Sequence, residues 1–427
     1  MVLAVAHRPP LLKPGDVAPL PLGWAHAGQG GHLQIGQSVL PGLHQPQHAF
    51  SGALHGKGQN LRVGHAHGAV HGPLAARKDR PNHALGAAGP VPDEVLPFMY
   101  KPSMQKLGVV IVSPALADAN NGNWQTARRW QQLLSAHSAR IVRQWPDDQS
   151  DSDDVMLALH ARRSADSVQA WHAKHGQRGL GVVLTGTDLY RDIGHDPLAQ
   201  QSLSLAHSLV VLQEWGIKAL PPAHQTKARV IFQSTGMRQT LPKTSRHVRV
   251  VMVGHLREEK DPLTLMAAAG CLPPDSGLLI DHIGAALDPA LGRAAQVTQA
   301  QCPHYRWLGA LPHAQTLQRI QRAHLLVHCS RMEGGAHVLM EAMRSGTPVL
   351  ASRIDGNMGL LGENYAGLFE PGNAKALADL LLACRSPQTG HSLVAHLQHQ
   401  CALRAPLFEP SAERAALHRW VQDLWAL

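Results

Sequence analysis

Short apolar runs alternate with amphipathic stretches from about residue 104 to the end of the chain. Leu107–Ser113 is apolar and rich in β-branched residues, a pattern that predicts a buried parallel strand. A loop of glycine and asparagine follows, and Trp124–Ala136 then carries apolar residues at helical spacing. Further strands, alternating with helical stretches, are predicted at 155–159, 181–185 and 208–212. This alternation favours a parallel sheet covered by helices.

The alternation begins again after a linker at residues 241–245. Strands are predicted at 248–253, 278–283, 325–328 and 348–351, with helices between them and an amphipathic helix at 410–425. We therefore expect an α/β chain with two Rossmann-like domains that face each other across a cleft. The predicted boundaries are 104–243 for the N-terminal domain, 244–405 for the C-terminal domain and 406–427 for the closing C-terminal helix. Ligands of such sheets bind at the carboxyl ends of the strands.

Residues 1–103 differ in composition from the rest of the chain. They contain 15 Gly and 13 Pro and show no sustained apolar period, which is typical of low-complexity segments. Such a segment cannot bury enough apolar surface to offset the entropy lost on ordering. We expect a disordered or non-native extension, with Met99 and Met104 as candidate starts. The alternative is a metal-binding tract, because residues 64–71 include three histidines.

The net charge of +9 divides into +4 before Met104 and +5 after it. Residues after Met104 form no basic stripe interleaved with aromatics, so we expect no nucleic-acid partner, while the basic balance suits an acidic small molecule. No apolar run approaches the ~20 residues of a membrane helix, so no membrane partner is expected. The five cysteines form neither a CxxC pair nor a zinc-like spacing. They therefore predict reduced thiols and a cytoplasmic protein.

The stretch 330–350 carries the most informative chemistry. Glu333 and Glu341 lie eight positions apart, Gly334 and Gly335 follow the first glutamate, and a helix is predicted to start at about His337. Glycines before a helix expose backbone N–H groups, and a helix N-terminus favours anions. We expect a diphosphate on this turn, with Glu341 accepting from ribose hydroxyls and Glu333 holding a sugar hydroxyl. The alternative is a capped helix beside an unrelated glutamate.

The same stretch resembles a known family. Glu333 and Glu341 are followed by Ala342-Met343, then Gly346 and Pro348-Val349, as in the signature of the retaining glycosyltransferases of family 4. The resemblance spans about residues 248–385. It implies the GT-B architecture, with an acceptor site in the N-terminal domain and a nucleotide-sugar site in the C-terminal domain.

In this family a strand ends in Gly-Arg, and a lysine follows some five residues later. Lys260 matches the lysine, whereas His255 stands at the arginine position. The resemblance implies that Lys260 neutralises the diphosphate as the nucleotide leaves, with Arg257 as a second cation, which is electrostatic stabilisation of developing charge. The alternative for this pair is a solvated charged loop.

Three stretches of the N-terminal domain resemble a narrow branch of the family, the selenosugar synthases (SenB) of selenoneine biosynthesis. They are residues 113–130, 158–164 and 184–192, and the branch shares the departure at His255. The resemblance implies transfer from UDP-N-acetylglucosamine or UDP-glucose to selenophosphate, with a carbon–selenium bond formed and UDP released. We expect no cofactor, since the UDP-sugar is a substrate. We also expect no metal, since no Asp-x-Asp site lies in a plausible loop and residues 151–153 lie in an acidic turn outside the strand ends.

Arginines are frequent in these stretches, and a guanidinium suits phosphate because its fork is bidentate. Arg128 and Arg162 are our candidates for acceptor binding among five arginines. His160, Thr187 and Asp188 follow predicted strands and are expected to face the cleft; the alternative for His160 is a buried core histidine. The predicted catalytic residues are Lys260, Arg257, Glu333, His160 and Asp188. The predicted donor-binding residues are Gly122, Gly334, Gly335, His337, Val338 and Glu341, and the predicted acceptor-binding residues are Asn121, Arg128, Arg162 and Thr187.

Three other functions remain open at this stage. One is an ordinary family 4 transferase with an oxygen acceptor, and another is a nucleotide-sugar epimerase with the same two-domain architecture. The third is a non-enzymatic nucleotide-sugar-binding regulator. Glu333, Glu341 and Lys260 are all present, which argues against a protein that only binds.

Overall fold

The computed structural model describes residues 105–117, 122–385 and 392–426. The predicted extension and Asn121 lie outside these residues. The described part contains two six-stranded sheets, and every strand pair within them is parallel. This confirms two Rossmann-like α/β domains. Among the described residues no helix is both long and apolar enough to cross a membrane.

The first sheet has the strand order β2-β1-β3-β4-β5-β6. An α-helix lies between each pair of consecutive strands except β2 and β3, whose connection contains only a short 3₁₀ turn at Ser150–Ser152. Its strands are β1 (Gly108–Val112), β2 (Ser138–Val142), β3 (Val155–Leu159), β4 (Leu180–Leu184), β5 (Ser208–Val211) and β6 (Ala228–Val230). Its helices are α1 (Gly122–Leu133), α2 (Ala165–His175), α3 (Pro197–Leu205) and α4 (Pro222–Gln225).

The second sheet has the order β12-β11-β10-β7-β8-β9. Its strands are β7 (Val248–Val253), β8 (Leu278–Ile283), β9 (Tyr305–Trp307), β10 (Leu325–His328), β11 (Val349–Ser352) and β12 (Leu368–Phe369). The helices that follow them are α5 (Pro262–Cys271), α6 (Pro289–Gln301), α7 (His313–Arg322), α8 (His337–Arg344), α9 (Asp355–Leu361), α10 (Ala374–Arg385) and α11 (Leu393–Arg404).

The last helix, α12 (Pro410–Trp425), returns to the first sheet. Its buried residues Leu417, Trp420, Val421 and Leu424 share one hydrophobic cluster with β1 and β3. Gly181 in β4 makes this packing possible, because a Cβ there would overlap the Trp420 ring. The C-terminal helix therefore ties the end of the second domain to the first.

The central strands lie close to where the apolar runs predicted them. β3, β7, β8 and β10 have the predicted bounds, and α12 covers the predicted 410–425. The four edge strands, β2 and β6 in the first sheet and β9 and β12 in the second, were not predicted. The reason is clearest for β2 and β6. None of their residues is fully buried, and their sequences, SARIV and ARV, lack a continuous apolar run. An edge strand is recognised by its hydrogen bonds to the neighbouring strand, and the local pattern of apolar residues does not contain that information.

Candidate active site

A cleft of about 740 Å³ lies between the carboxyl ends of the two sheets. The first half of α1 and the loops after β3, β4 and β5 form its wall in the first domain. The loops after β7 and β10 and the start of α7 form its wall in the second domain. Ligands of parallel sheets bind at this edge. The predicted residues that line the cleft are Gly122, Arg128, His160, Thr187, Arg257, Lys260, Glu333, Gly334, Gly335, His337 and Val338.

An ion pair between Lys260 and Glu333 lies at the centre of the second-domain wall. Lys260 Nζ contacts Glu333 Oε1, and His328 Nε2 lies 3.3 Å from the same oxygen. Burial alone would raise the pKa of Glu333, but the Lys260 ammonium and His328 outweigh it, so this pKa lies well below its ordinary value. Glu333 is therefore an ionised acceptor, suited to a sugar hydroxyl.

The loop that carries Lys260 is bound to the loop that carries Glu333. Arg331 donates from its backbone N to Glu259 O at 2.9 Å and from Nε to Asp261 Oδ2 at 3.1 Å. Asp261 has a φ of 42°, in the left-handed region that costs a non-glycine residue about 1 kcal/mol or more. These contacts hold the bend after Lys260, so the ammonium and Glu333 keep a defined separation.

Arg257 is the second cation of this wall, as expected from the departure at His255. Its side chain is about half exposed, and its nearest carboxylate oxygen, on Glu259, is 3.9 Å away. His255 Nδ1 instead accepts from the backbone N of Ala285 at 3.1 Å. Burial, together with Arg257 and Lys260, lowers the pKa of His255. His255 therefore stays neutral near pH 7, and the positive charge comes from the two longer side chains.

Glycines bring the two domains into backbone contact at the floor of the cleft. A Cβ on Gly334 would overlap the carbonyl of Thr185, and a Cβ on Gly186 would lie 2.8 Å from Gly334 N. Gly335 similarly abuts Leu212, at the end of β5. The turn predicted to bind a diphosphate is thus covered by the first-domain loop after β4. Only residues without a side chain allow this approach.

Glu341 lies behind this turn and is 6% exposed. Its Oε1 lies 2.8 Å from His313 Nε2 and 3.3 Å from His337 Nδ1. Burial raises the pKa of Glu341, but the hydrogen bonds from the two histidines more than reverse this and lower it to about 2. The same bond raises the pKa of His313. Both histidines contact the same carboxylate oxygen, Oε1, and His313 is the more exposed of the two. Glu341, predicted to bind the donor, does not itself line the cleft.

The first-domain wall carries unpaired positive charge. Among the described residues, Arg128 and Arg163 line the cleft and have no carboxylate partner. Arg162, one of the two predicted acceptor-binding arginines, does not line it. Arg162 Nε lies 3.0 Å from Asp192 Oδ2, so its charge is compensated within the domain. The acceptor prediction therefore moves from Arg162 to its neighbour Arg163.

His160 lies at the cleft as predicted, whereas Asp188 does not. His160 lines the cleft but is only 2% exposed, and its Nε2 lies 3.1 Å from Thr187 Oγ1. The prediction that Asp188 faces the cleft is wrong, because its side chain is fully buried. Asp188 accepts from the backbone N atoms of Ala161, Thr185 and Gly186 at 2.9 to 3.0 Å. It is a positioning residue that joins the loops after β3 and β4.

The comparisons with known proteins agree with this geometry. Residues 234–386 match the family model of the glycosyl transferases group 1. This part of the chain is similar to that family, and we call residues 234–386 the group 1 domain. The match covers the second sheet and both glutamates of the predicted signature.

Solved structures share the architecture of both domains at low identity. A glycosyltransferase from Rickettsia africae ESF-5 superposes with a TM-score of 0.57 at 13% identity, covering 75% of this chain and 99% of its own. Anabaena HepE, solved with UDP, has a TM-score of 0.56 at 17% identity, covering 75% and 100%. Sucrose-phosphate synthase from Thermosynechococcus elongatus has a TM-score of 0.57 at 16% identity, covering 75% and 100%. The fold is that of GT-B glycosyltransferases.

Sequence reasoning missed His313 and His328 in the group 1 domain, and no motif signals them. His313 follows Pro312 at the start of α7, and His328 ends β10 inside an apolar run. Only their distances from Glu341 and Glu333 reveal their importance. Within the described ranges no group of three His, Cys, Asp or Glu side chains is arranged to hold a metal ion.

Proposed function

We propose that this protein is a glycosyltransferase that transfers a sugar from UDP-N-acetylglucosamine or UDP-glucose to selenophosphate. The product is a selenosugar with a carbon–selenium bond at the anomeric carbon, and UDP is released. The selenosugar would serve selenoneine biosynthesis, as the resemblance of the N-terminal domain implies.

The group 1 domain supports a nucleotide-sugar donor. HepE, a structural neighbour, has been solved with UDP and with UDP-glucose. In this chain Gly334 and Gly335 lead into the N-terminus of α8, and Lys260 and Arg257 face the same space. Backbone N–H groups and two cations are suited to a diphosphate. In this proposal Glu341 binds the ribose and Glu333 binds the transferred sugar.

The single observation that carries the proposed acceptor is the unpaired charge of Arg128 and Arg163. A neutral sugar hydroxyl needs hydrogen-bond partners but no compensating cations, whereas a selenophosphate carries several negative charges. Two guanidinium groups without carboxylates at the wall opposite Lys260 and Glu333 suit such an anion. The charges would hold the phosphoryl oxygens while selenium faces the anomeric carbon.

In the proposed reaction, a selenium lone pair forms the C–Se bond. The bond from the anomeric carbon to the diphosphate oxygen breaks, and its electron pair leaves with UDP, where Lys260 and Arg257 meet the growing charge. Selenium is soft and anionic, so this step requires positioning rather than proton removal. Water then adds to phosphorus and the P–Se bond breaks, giving inorganic phosphate and the selenol.

A UDP-release assay with and without selenophosphate tests this proposal. We expect release that depends on selenophosphate, and mass spectrometry should find the selenosugar. Release that depends only on an alcohol acceptor would indicate an ordinary family 4 transferase. Interconversion of UDP-sugars without acceptor would indicate an epimerase, and UDP-sugar binding without turnover would indicate a regulator.

A pair of neighbouring variants tests the acceptor site. Arg163→Met should raise the KM for selenophosphate by about 10- to 100-fold, the factor for one hydrogen bond to a charged group. Arg162→Met is the matched control, because this arginine pairs with Asp192 and does not line the cleft. Equal effects of the two variants would contradict the placement of the acceptor.

A further inference from the structure

His160 has a backbone conformation that its surroundings impose. Its φ is 74°, and such left-handed conformations cost a non-glycine residue about 1–2 kcal/mol. Its backbone N donates to Val183 O at 2.8 Å, and its backbone O accepts from Ser164 N at 3.1 Å. The next residue, Ala161, donates from its backbone N to the buried Asp188 at 3.0 Å. These bonds place the imidazole ring at the cleft wall in one orientation.

The hydrogen bonds of the ring define which nitrogen carries its proton. Nδ1 accepts from the backbone N of Arg163 at 3.4 Å, so Nδ1 has the lone pair. Burial lowers the pKa of His160, and the nearby Arg163 and Arg162 lower it further, against Asp188 and Asp192, which raise it. The neutral ring therefore has its proton on Nε2. This N–H donates to Thr187 Oγ1 at 3.1 Å.

The Thr187 hydroxyl is consequently a donor that faces the cleft. Its oxygen accepts from His160, and within the described ranges its own proton has no protein acceptor. Thr187 directly follows Gly186, which abuts Gly334 in the turn proposed for the diphosphate. The hydroxyl thus lies where the first domain covers the turn proposed for the diphosphate, on the same wall as Arg163.

We propose that Thr187 donates a hydrogen bond to an oxyanion bound in the cleft, and that His160 orients this hydroxyl and removes no proton from substrate. The oxyanion is a phosphoryl oxygen, of the donor diphosphate or of the acceptor. The inference rests on the proposed function for the identity of these ligands. It differs from the sequence prediction, in which His160 was a catalytic residue.

Binding measurements on the full chain test the role of Thr187 without turnover. UDP is titrated by calorimetry, and inorganic phosphate is then titrated into the UDP-loaded protein. Thr187→Val should weaken one of the two affinities by about 10- to 100-fold, the factor for one hydrogen bond to a charged group. Thr187→Ser, which keeps the hydroxyl, should recover most of that loss.

The matched control is Thr298→Val on α6, outside the cleft, where the same isosteric change should alter neither affinity. A weaker UDP isotherm would assign the diphosphate, and a weaker phosphate isotherm would assign the acceptor. Unchanged affinities for both probes in Thr187→Val would overturn the inference. Because neither titration needs selenophosphate, a failure of the proposed reaction is seen separately, as absent UDP release.

The role of His160 is tested by rescue. His160→Gln keeps an N–H near the position of Nε2, whereas His160→Ala removes it. We expect His160→Gln to bind the affected ligand within about 3-fold of wild type, less than one lost hydrogen bond, and His160→Ala to match Thr187→Val. In turnover, the pH profile of kcat should have the same shape in His160→Gln and wild type. Loss of one limb of that profile in His160→Gln would show that His160 transfers a proton and would refute the positioning role.

Discussion

Replacing Glu413 with glutamine should measure how strongly the closing helix is held. The Glu413 side chain is fully buried in α12. It accepts from Trp130 Nε1 at 2.7 Å, from Ser234 N at 2.8 Å and from Arg129 Nε at 3.0 Å. These donors belong to α1 and to the segment that leads into the second domain. One carboxylate therefore joins three parts of the chain.

The expected loss of stability follows from the hydrogen bonds that a glutamine side chain cannot accept. One carboxylate oxygen becomes an NH₂ group, so either Trp130, which donates to Oε1, or Ser234, which donates to Oε2, loses its acceptor in a dry environment. In both cases Arg129 loses its negatively charged partner. A hydrogen bond to a charged group contributes about 1.5–3 kcal/mol, and removing one partner of a buried ion pair costs about 3–5 kcal/mol. Because the two effects overlap, we expect Glu413→Gln to lower the free energy of unfolding by about 3–5 kcal/mol.

Glu409→Gln, at the N-cap position directly before α12, is the matched control. The Glu409 side chain is 43% exposed and pairs at 3.2 Å with Arg344, which is buried but also donates to the backbone oxygens of Thr235 and Ala405. Loss of such a pair should cost about 1 kcal/mol or less. Urea unfolding followed by circular dichroism gives both values from the shift in midpoint. Equal midpoints for the two variants would refute the argument that the buried carboxylate anchors the helix.

Three further predictions concern the cleft and the stability of the protein. Glu341→Ala should weaken UDP-sugar binding by about 2–3 kcal/mol. Lys260→Ala should also lower kcat, because this ammonium meets charge that grows in the transition state. An effect of Lys260→Ala on KM alone would exclude the leaving-group role. Gly334→Ala should lower kcat/KM by about 10-fold or more, since a Cβ would separate the domains by steric overlap, and Gly270→Ala, which has open space around it, should have wild-type kinetics. Burial and a neighbouring histidine on α12 lower the pKa of His137 in the folded state. Below pH 6.5 the unfolded chain therefore binds more protons than the folded protein, and the free energy of unfolding should fall as pH decreases through that value. The urea midpoint should fall less steeply with pH in His137→Gln, and parallel slopes would contradict this.

The sequence by itself was sufficient for the architecture and for locating several of the residues that line the cleft. Stretches of four to six mostly apolar residues located β3, β7, β8 and β10, because a strand buried on both faces is mostly apolar. Glu333 with its two glycines and Lys260 were recognisable because these groups lie in one local stretch each. The structure places both side chains at the cleft. Their roles in binding and transfer stay predictions that the experiments above test.

The tertiary structure decided which neighbouring residues face the ligand. Arg162 and Arg163 are adjacent and chemically equal in the sequence, yet Asp192 neutralises the first and the second lines the cleft. Asp188 follows a strand as predicted, but its carboxylate turns inward to bind three backbone N–H groups. His313 lies 28 residues before Glu341 and meets it only because two helices converge. Side-chain direction depends on loop conformation and on long-range partners, and neither is encoded in the periodicity of apolar residues.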